Sequence, residues 1–560
     1  MKPKGEQRHM PTSKYTESLE ITDYMASESA VRPGTRPPVC GEASERERNA
    51  AQSTAARSSK PDLSGRVGGM SRKLRMLPRA AALLVLLVSC GFPGAAQDNA
   101  TTQNGTTGLN GSWINGPASN PLSFLNGPAA RTTASDAPYL FPDFRPASQL
   151  NGELPPWLQF GLEERLRFEG YSNSGFKPGN NDSYMLNRLR ILMVIRPTSW
   201  FKVVGEVQDS RPFLQKPPIV PPNANEWDLK LAYAEFGDSE NQWVSVRAGR
   251  QIINYNNSLI GNSEWRNQAR SYDAVVTNLH EGRYHLGIFA ASVVIPLAEG
   301  VSHHQEGNNI YGLYGGIDNI VPDSRLEPFV LWRVAPSTAV ETTAKVKTGR
   351  LDDKTYGFRF KGAAVTYLDY TYEIALQNGS AGPNQLRAWA TQFGAGYRLN
   401  RLPWQPRAFG TYDYASGDKN PTDGKHGTFD TLSPNAHDRF GMSDLFGWQN
   451  IESLRGGLTI EPVRRWSVTG QYLNFYLASA TDALYNSSGG VIARDTTGRA
   501  GTHVGEEYDA YTWFELNRHV NIGGGIARIL PGHFLAVATK GAGYTYPFFA
   551  INFKDNPRVW

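Results

Sequence analysis

Cysteine is nearly missing. Cys40 and Cys90 are the only two, and both fall in the first 96 of 560 residues. Beyond that point neither a disulfide framework nor a cysteine-based metal site can be built. Long apolar runs are missing too: no segment of the main body approaches the roughly 20 consecutive apolar residues of a membrane-spanning helix. There is no helix-period segment of useful length and no ATP or cofactor motif, so no cofactor is expected. Histidine is sparse. His303 and His304 stand beside Glu306, and His437 beside Asp438, without a nucleophile or a His-Glu-x-x-His metal spacing; they read as loop residues.

A basic excess is also absent from the main body. The whole chain has 57 Lys+Arg against 52 Asp+Glu, but 15 of the basic and 9 of the acidic residues precede Gln97, leaving 42 against 43, a net of −1. Nucleic acid is therefore not an expected partner. Residues 70–96 have the layout of a secretory signal: a basic start (Arg72, Lys73, Arg75, Arg79), a short apolar core (Ala80 to Val88), and Gly94-Ala95-Ala96 as a cleavage site. The core is too short for a helical anchor. Leu87-Val88-Ser89-Cys90 resembles a lipobox, which makes acylation of Cys90 the second reading. Residues 1–69 are polar and unpatterned, and translation is expected to start at Met70 or Met76. Residues 97–150, rich in Asn, Gly, Ser and Pro, read as a flexible segment, and 151–560 as the folded body.

What the body has is alternation. From Phe160 to Glu169, Phe160, Leu162, Leu166 and Phe168 share one face, and Glu163, Arg165, Arg167 and Glu169 the other; Glu164 breaks the pattern. Leu189, Ile191, Met193 and Ile195 likewise oppose Arg188, Arg190 and Arg196, and Phe201, Val203 and Val207 oppose Lys202 and Glu206. The design recurs in Tyr356–Lys361, Leu368–Gln377 and Trp389–Leu399. Period two alone fits a soluble sandwich or a membrane barrel with a polar lumen. The export signal and the length of the pattern favour the second: an all-β, transmembrane antiparallel β-barrel in the bacterial outer membrane. A spanning chain without apolar helices must close its sheet, because lipid leaves backbone groups unsatisfied. Links alternate between short (Asn400–Pro403) and long (Ser416–Asn450, Ala478–Gly505), as at the two rims of a barrel.

Three blocks carry a resemblance. The first is Gly249-Arg250-Gln251 with Trp265-Arg266-Asn267 and Arg270-Ser271-Tyr272-Asp273-Ala274-Val275. The second is Ser416-Gly417-Asp418, Gly427-Thr428-Phe429 and Asp444 through Asn450. The third runs from Val504–Asp509 to Gly525–Gly532, preceded by Asp482-Ala483-Leu484-Tyr485. Over roughly Trp157 to Phe553 the chain resembles the alginate export family of outer-membrane barrels. The resemblance implies a monomer of about 18 strands, an arginine-lined lumen and a polyuronate or other anionic substrate. The 397 residues of that stretch have room for eighteen strands of ~10 residues. The closing segment, with Phe549, Ile551 and Phe553 on one face, resembles the terminal signal read by the barrel-assembly machinery.

The lumen face inferred from alternation carries Arg165, Arg167, Arg188, Arg190, Lys202, Arg247, Arg359, Lys361, Arg398, Arg407 and Arg455, with Glu163, Glu206, Asp369, Glu373 and Asp413. Arginine donates two bonds to one carboxylate, and a sugar-acid polymer offers a carboxylate on every unit. Alternatively these charges pair across strands and merely keep the wall polar. Within the first block, Arg250, Arg266, Arg270 and Asp273 surround a turn. Arg250 and Arg266 are expected at the constriction, with packing of the loop against the wall as the alternative. The expected partners are outer-membrane lipid, an anionic carbohydrate and, for export, a periplasmic complex. Competing readings are an uptake porin for sugars or organic acids, a barrel hydrolase and a structural barrel. The sequence leaves open whether a loop such as Ser416–Asn450 folds inward as a gate.

Overall fold

Side chains that alternate between apolar and charged can satisfy both only in a sheet with unlike surroundings on its two faces. The computed structural model resolves that sheet in detail. It describes residue 139 and residues 141–557, apart from 220–221, 239–241, 256–257, 342–345 and 436. The expected signal, the cysteines and most of the 97–150 segment lie outside the described residues.

The first half of the wall is β1 (Leu158–Tyr171), β2 (Asp182–Thr198), β3 (Phe201–Phe213), β4 (Asn225–Gly237), β5 (Val244–Gln251), β6 (Tyr272–Glu281), β7 (Tyr284–Ile295), β8 (His303–Asp318) and β9 (Ser324–Glu341). The second half is β10 (Val346–Val365), β11 (Leu368–Ala381), β12 (Asn384–Arg398), β13 (Arg407–Ala415), β15 (Ile451–Val463), β16 (Trp466–Tyr476), β19 (His503–Glu515), β20 (Val520–Pro531) and β21 (Tyr544–Asp555). Each pairs antiparallel with its neighbours, and β1 pairs with both β2 and β21, closing an 18-strand barrel. Closure leaves no free edge, as lipid demands. Three small strands lie in the loops: β14 (Lys425–His426), β17 (Ala483–Tyr485) and β18 (Val491–Arg494).

The burial alternates as the sequence does. Along β1, Glu163, Arg165, Arg167 and Glu169 are buried toward the lumen, while Leu162, Leu166 and Phe168 face outward. Glu164, the break in the pattern, also faces outward, where its carboxylate accepts from Asn187 of β2. Outward apolar side chains on many strands are about half exposed, among them Phe168, Trp389, Phe393 and Phe549. This is the band a barrel presents to lipid.

Links at one rim are short, such as 199–200, 282–283, 366–367 and 464–465. At the other rim three are long: 252–271, 416–450 and 477–502. The described segments just before β1 and at the end of β21 lie at the short-turn rim. There Pro146–Glu153 forms a helix under the seam between β1 and β21. Ser148 bonds to Asp555, and Asn151 bonds both the N–H and the C=O of Phe160 (2.7 and 2.8 Å), on the edge of β1 that β21 is too short to cover.

Candidate functional site

The lumen wall contains a cationic cluster that alternation alone would make unstable. Arg165 of β1 pairs directly with Arg188 of β2, and Arg167 and Arg190 stand beside them. Like charges directly opposite destabilise a sheet. What offsets them is loop 252–271, which turns back into the barrel. Arg165 donates to the carbonyls of Glu264 (2.9 Å) and Arg266 (2.8 Å), and Arg188 to that of Glu264 (3.1 Å). Arg167 donates to the carbonyl of Trp265 and lies over its ring at 4.2 Å. The carboxylate of Glu264 takes ion pairs from Arg188 (2.7 Å) and Arg190 (2.6 Å), while Glu163 pairs with Arg188 as well. On β4, Lys230 donates to the carbonyls of Ala269 and Arg270 and to the hydroxyl of Ser271. The loop is thus pinned to the β1–β4 wall by buried cations.

Loop 416–450 is pinned to the opposite wall by carboxylates. Asp509 of β19 accepts from the N–H of Met442 (3.0 Å), and Glu507 accepts from the N–H and hydroxyl of Ser443 (both 2.9 Å). Asp413 pairs with Arg439 (2.7 Å), whose guanidinium covers Trp448 at 3.7 Å. Arg455 and Gln471 hold Asp438. On a third side, Arg333 pairs with Asp430 (2.6 Å) and Gln377 bonds both its N–H and its C=O. Gly441 must be glycine: its φ is +88°, and a Cβ there would sit 2.2 Å from the carboxylate of Glu507.

The two loops meet in the middle. Ser433 exchanges backbone bonds with Leu259 and Gly261 (both 2.9 Å), and Ser263 donates to the carbonyl of Pro434. Arg270 donates to the carbonyls of Gly261, Ser433 and Pro434 at 3.0, 2.7 and 2.9 Å. Trp265 stacks on His437 at 4.1 Å and 4°. Contacts therefore run without a break from β1 and β2, through both loops, to β13, β15 and β19. The result is a crossbar inside the barrel, which answers the question of whether Ser416–Asn450 folds inward. Trp265 lies between Arg167 and His437 and so works as a strut in this arrangement, with its ring committed to protein contacts.

The third long loop, 477–502, braces this structure through Asp482. Its buried carboxylate accepts from the N–H of Asp418 (2.8 Å), Thr428 (2.7 Å), its neighbour Ala483 and Tyr485 (2.8 Å).

The inward residues expected from alternation are all on the lumen face, but most are occupied. Lys202 and Arg247 share Glu235 (3.0 and 2.9 Å), and Glu206 stands 3.8 Å from Arg190. Below the crossbar, toward the short-turn rim, Arg359 and Lys361 share Glu327 (2.6 and 3.0 Å), Arg398 pairs with Glu461 (3.1 Å) and Arg407 with Asp369 (2.5 Å). Glu373 is buried in the same wall. Lys361 keeps 41% of its side chain exposed, which makes it available to a passing anion.

Arg250 and Asp273 differ from expectation. They pair with each other (2.8 Å) beside His304, on the face opposite the inward Arg247, Gln251, Tyr272 and Ala274. Strand β5 continues through Gln251, so Arg250, three residues beyond Arg247, alternates to the outer side. Arg266 and Arg270 are in the crossbar. Arg266 donates to Ser487 and Ser488 (3.3 and 3.0 Å), and burial together with the neighbouring Arg270 brings its guanidinium down to about 10. Of the histidines, His437 bonds Asp444 through Nδ1 (2.7 Å), but its Nε2 has no hydrogen-bond partner among the described residues. Among the described residues no serine hydroxyl bonds to it as a triad would need.

Glu264 and Lys230 carry no signal that the sequence reading used, and Glu507, Asp509 and Asp482 entered it only as part of the third block, with no role assigned. Glu507 and Asp509 are inward by alternation along β19; Glu264 and Asp482 lie in loops without a period.

Glu264 also sets a pH window. Burial alone would push its carboxyl up, but Arg188 and Arg190 outweigh this and hold it well below the usual carboxylate range. A carboxylate lowered in the folded state contributes stability above its unfolded pKa of ~4.3 and loses it as pH falls through the folded value. The contact between Glu264 and the arginines is therefore expected to persist from pH 8 to pH 5. Protease resistance of loop 252–271 should be the same at those two pH values, and cutting of that loop near pH 5 would contradict the assignment.

A closed sheet with a lipid-facing apolar band, a charged lumen and loops folded inside defines an outer-membrane β-barrel channel. A family model described as alginate export matches residues 156–546, and the chain belongs to that family. No curated protein sequence matches. Among solved structures the chain is similar to OccK5 (OpdH) of Pseudomonas aeruginosa, at 8% identity and TM-score 0.49, covering 72% of this chain and 98% of that one. It is also similar to OccAB2 of Acinetobacter baumannii, at 9% identity and TM-score 0.48, covering 70% and 97%.

Proposed function

We propose that this channel passes an anionic polysaccharide or oligosaccharide of the polyuronate kind, and that the crossbar is its closed state. Membership of a family named for alginate export carries the reading, since alginate is a polymer of sugar acids. Lys361 below the crossbar supports it, because its ammonium group stays partly exposed on the lumen wall beside the ion pairs of Arg359, Arg398 and Arg407. The arginines above them, Arg165, Arg167, Arg188 and Arg190, become available to substrate when loop 252–271 leaves.

Conductance of the refolded mature barrel in a planar bilayer, first under a salt gradient and then with polyuronate added, tests this reading. Anion preference with block by polyuronate supports it, whereas an open pore indifferent to charge makes the protein a general uptake porin. Lys361→Gln removes a partly solvated charge worth about 0.2–1 kcal/mol. Polyuronate block should then weaken by a factor of about 1.4 to 5. Equal block in variant and parent would remove Lys361 from the path.

A further inference from the structure

Trp265 stands on an aromatic floor. Its two faces are taken by the guanidinium of Arg167 (4.2 Å) and the imidazole of His437 (4.1 Å). Its edge therefore meets the wall, where Trp513 of β19 and Phe548 of β21 lie at 6.5 and 5.3 Å, each nearly perpendicular to it. Glycine keeps this floor flat. Trp513 is opposite Gly523 and Phe548 opposite Gly525, both on β20 between them. A Cβ on Gly523 would run into the Trp513 indole, and one on Gly525 would come within 2.9 Å of the Phe548 ring. Both rings thus lie against the sheet with one face toward the lumen. Beneath the crossbar each is only 4% exposed.

Arg167 borders the floor on the next strand, since β21 pairs with β1 and Phe548 stands opposite Glu169. Its Nε pairs with Glu169 (2.5 Å), whose carboxylate also accepts from Tyr184 and Tyr546 (3.0 and 2.7 Å). Its Nη1 donates to the carbonyl of Trp265. Residue 265 thus brings two things to the wall: the C–H edge of a flat ring, set against two aromatic faces, and an oxygen, set against one guanidinium.

A sugar acid carries the same pair of groups. The C–H bonds on one side of a pyranose ring are weakly positive, as a ring edge is, and suit the negative face of an aromatic ring. Its carboxylate suits a guanidinium. A small inorganic anion would leave the two rings uncovered, and a neutral sugar would bring no carboxylate to Nη1. We propose that Trp513 and Phe548 are a stacking subsite for one uronate unit, with Arg167 as its carboxylate partner, and that Trp265 fills this subsite while the crossbar is in place. The subsite rests on the polyuronate reading above.

Dwell times of blocking events in single-channel records test this, with an alginate oligomer and polyacrylate of matched charge as the two blockers. Polyacrylate has carboxylates and no rings. The parent and Glu264→Ala, whose loop is expected to stand open, are both recorded. Changing Trp513 and Phe548 together to Leu should shorten the alginate dwell about tenfold and leave the polyacrylate dwell unchanged. Trp513→Phe alone should keep most of it. Phe289 of β7 lies over Gly312 in the same manner, away from Arg167, so Phe289→Leu should leave both dwell times as they are. A heat-modifiable gel band verifies folding of each variant. Equal shortening for both blockers overturns the subsite, as does equal shortening by Phe289→Leu or an unshortened alginate dwell in the double Leu variant. Absence of alginate block in both the parent and Glu264→Ala removes the polyuronate reading itself, and the subsite with it.

Discussion

Replacing Glu264 by Ala is expected to raise single-channel conductance and to shift the reversal potential toward anion selectivity. Glu264 is the one loop carboxylate that Arg188 and Arg190 share, at 2.7 and 2.6 Å. Without it, Arg165 keeps the loop carbonyls, Arg188 keeps Glu163 and a loop carbonyl, and Arg190 keeps Glu163, Gln208 and the more distant Glu206. Breaking a buried ion pair from one side costs about 3–5 kcal/mol, because the remaining charge is left uncompensated. Undocking of loop 252–271 relieves that cost by letting water reach the guanidiniums. A change of about 3 kcal/mol shifts the docked-to-undocked ratio roughly a hundredfold, enough to convert rare openings into a standing open population. The lumen also loses a negative charge and gains free cations, so both effects favour anions. Glu264→Gln should act in the same direction but less strongly, since an amide still accepts from one arginine. If Glu264→Ala leaves conductance and reversal potential as they were, the crossbar is not what closes this pore.

Much of the wall was legible in the sequence because period two is a local property. Once Arg188 is inward, Arg190 is too, and every lumen residue placed by alternation is on the lumen face. The rims were legible for a related reason: a two-residue link such as Arg464–Arg465 and a 35-residue link such as Ser416–Asn450 cannot do the same job. Arg250 went wrong because it was read from its motif as part of a turn, although its spacing from Arg247 puts it on the other face. What alternation cannot convey is what stands opposite an inward charge. The partner of Arg165 is a loop carbonyl about a hundred residues away, and carbonyls leave no trace in a sequence. The expectation that arginines line a free pore therefore needed the structure to show that their first ligand is the protein itself.

Asp482→Ala should release the long loops without unfolding the barrel. Asp482 is fully buried and accepts four hydrogen bonds, from Asp418 and Thr428 in one loop and from Ala483 and Tyr485 in the other. Alanine would leave those donors without their acceptor. Each unsatisfied buried donor costs about 1–3 kcal/mol, so the total is expected to exceed what two loops held otherwise by the short β14 and the small β17–β18 pair can withstand. The wall, by contrast, is held by a closed ladder of antiparallel pairs that Asp482 does not touch. Limited proteolysis should then cut within 416–450 and 477–502, while the barrel keeps its heat-modifiable mobility. Conductance adds a further test. The crossbar needs both of its halves, since Arg270 holds on to Ser433 and Pro434. Loss of order in 416–450 should therefore open the pore even with Glu264 and its arginines intact. Loops that resist protease in Asp482→Ala would mean that the wall contacts of Glu507, Asp509 and Asp413 hold 416–450 on their own. Loops that are cut while the pore stays shut would place the closure in 252–271 alone.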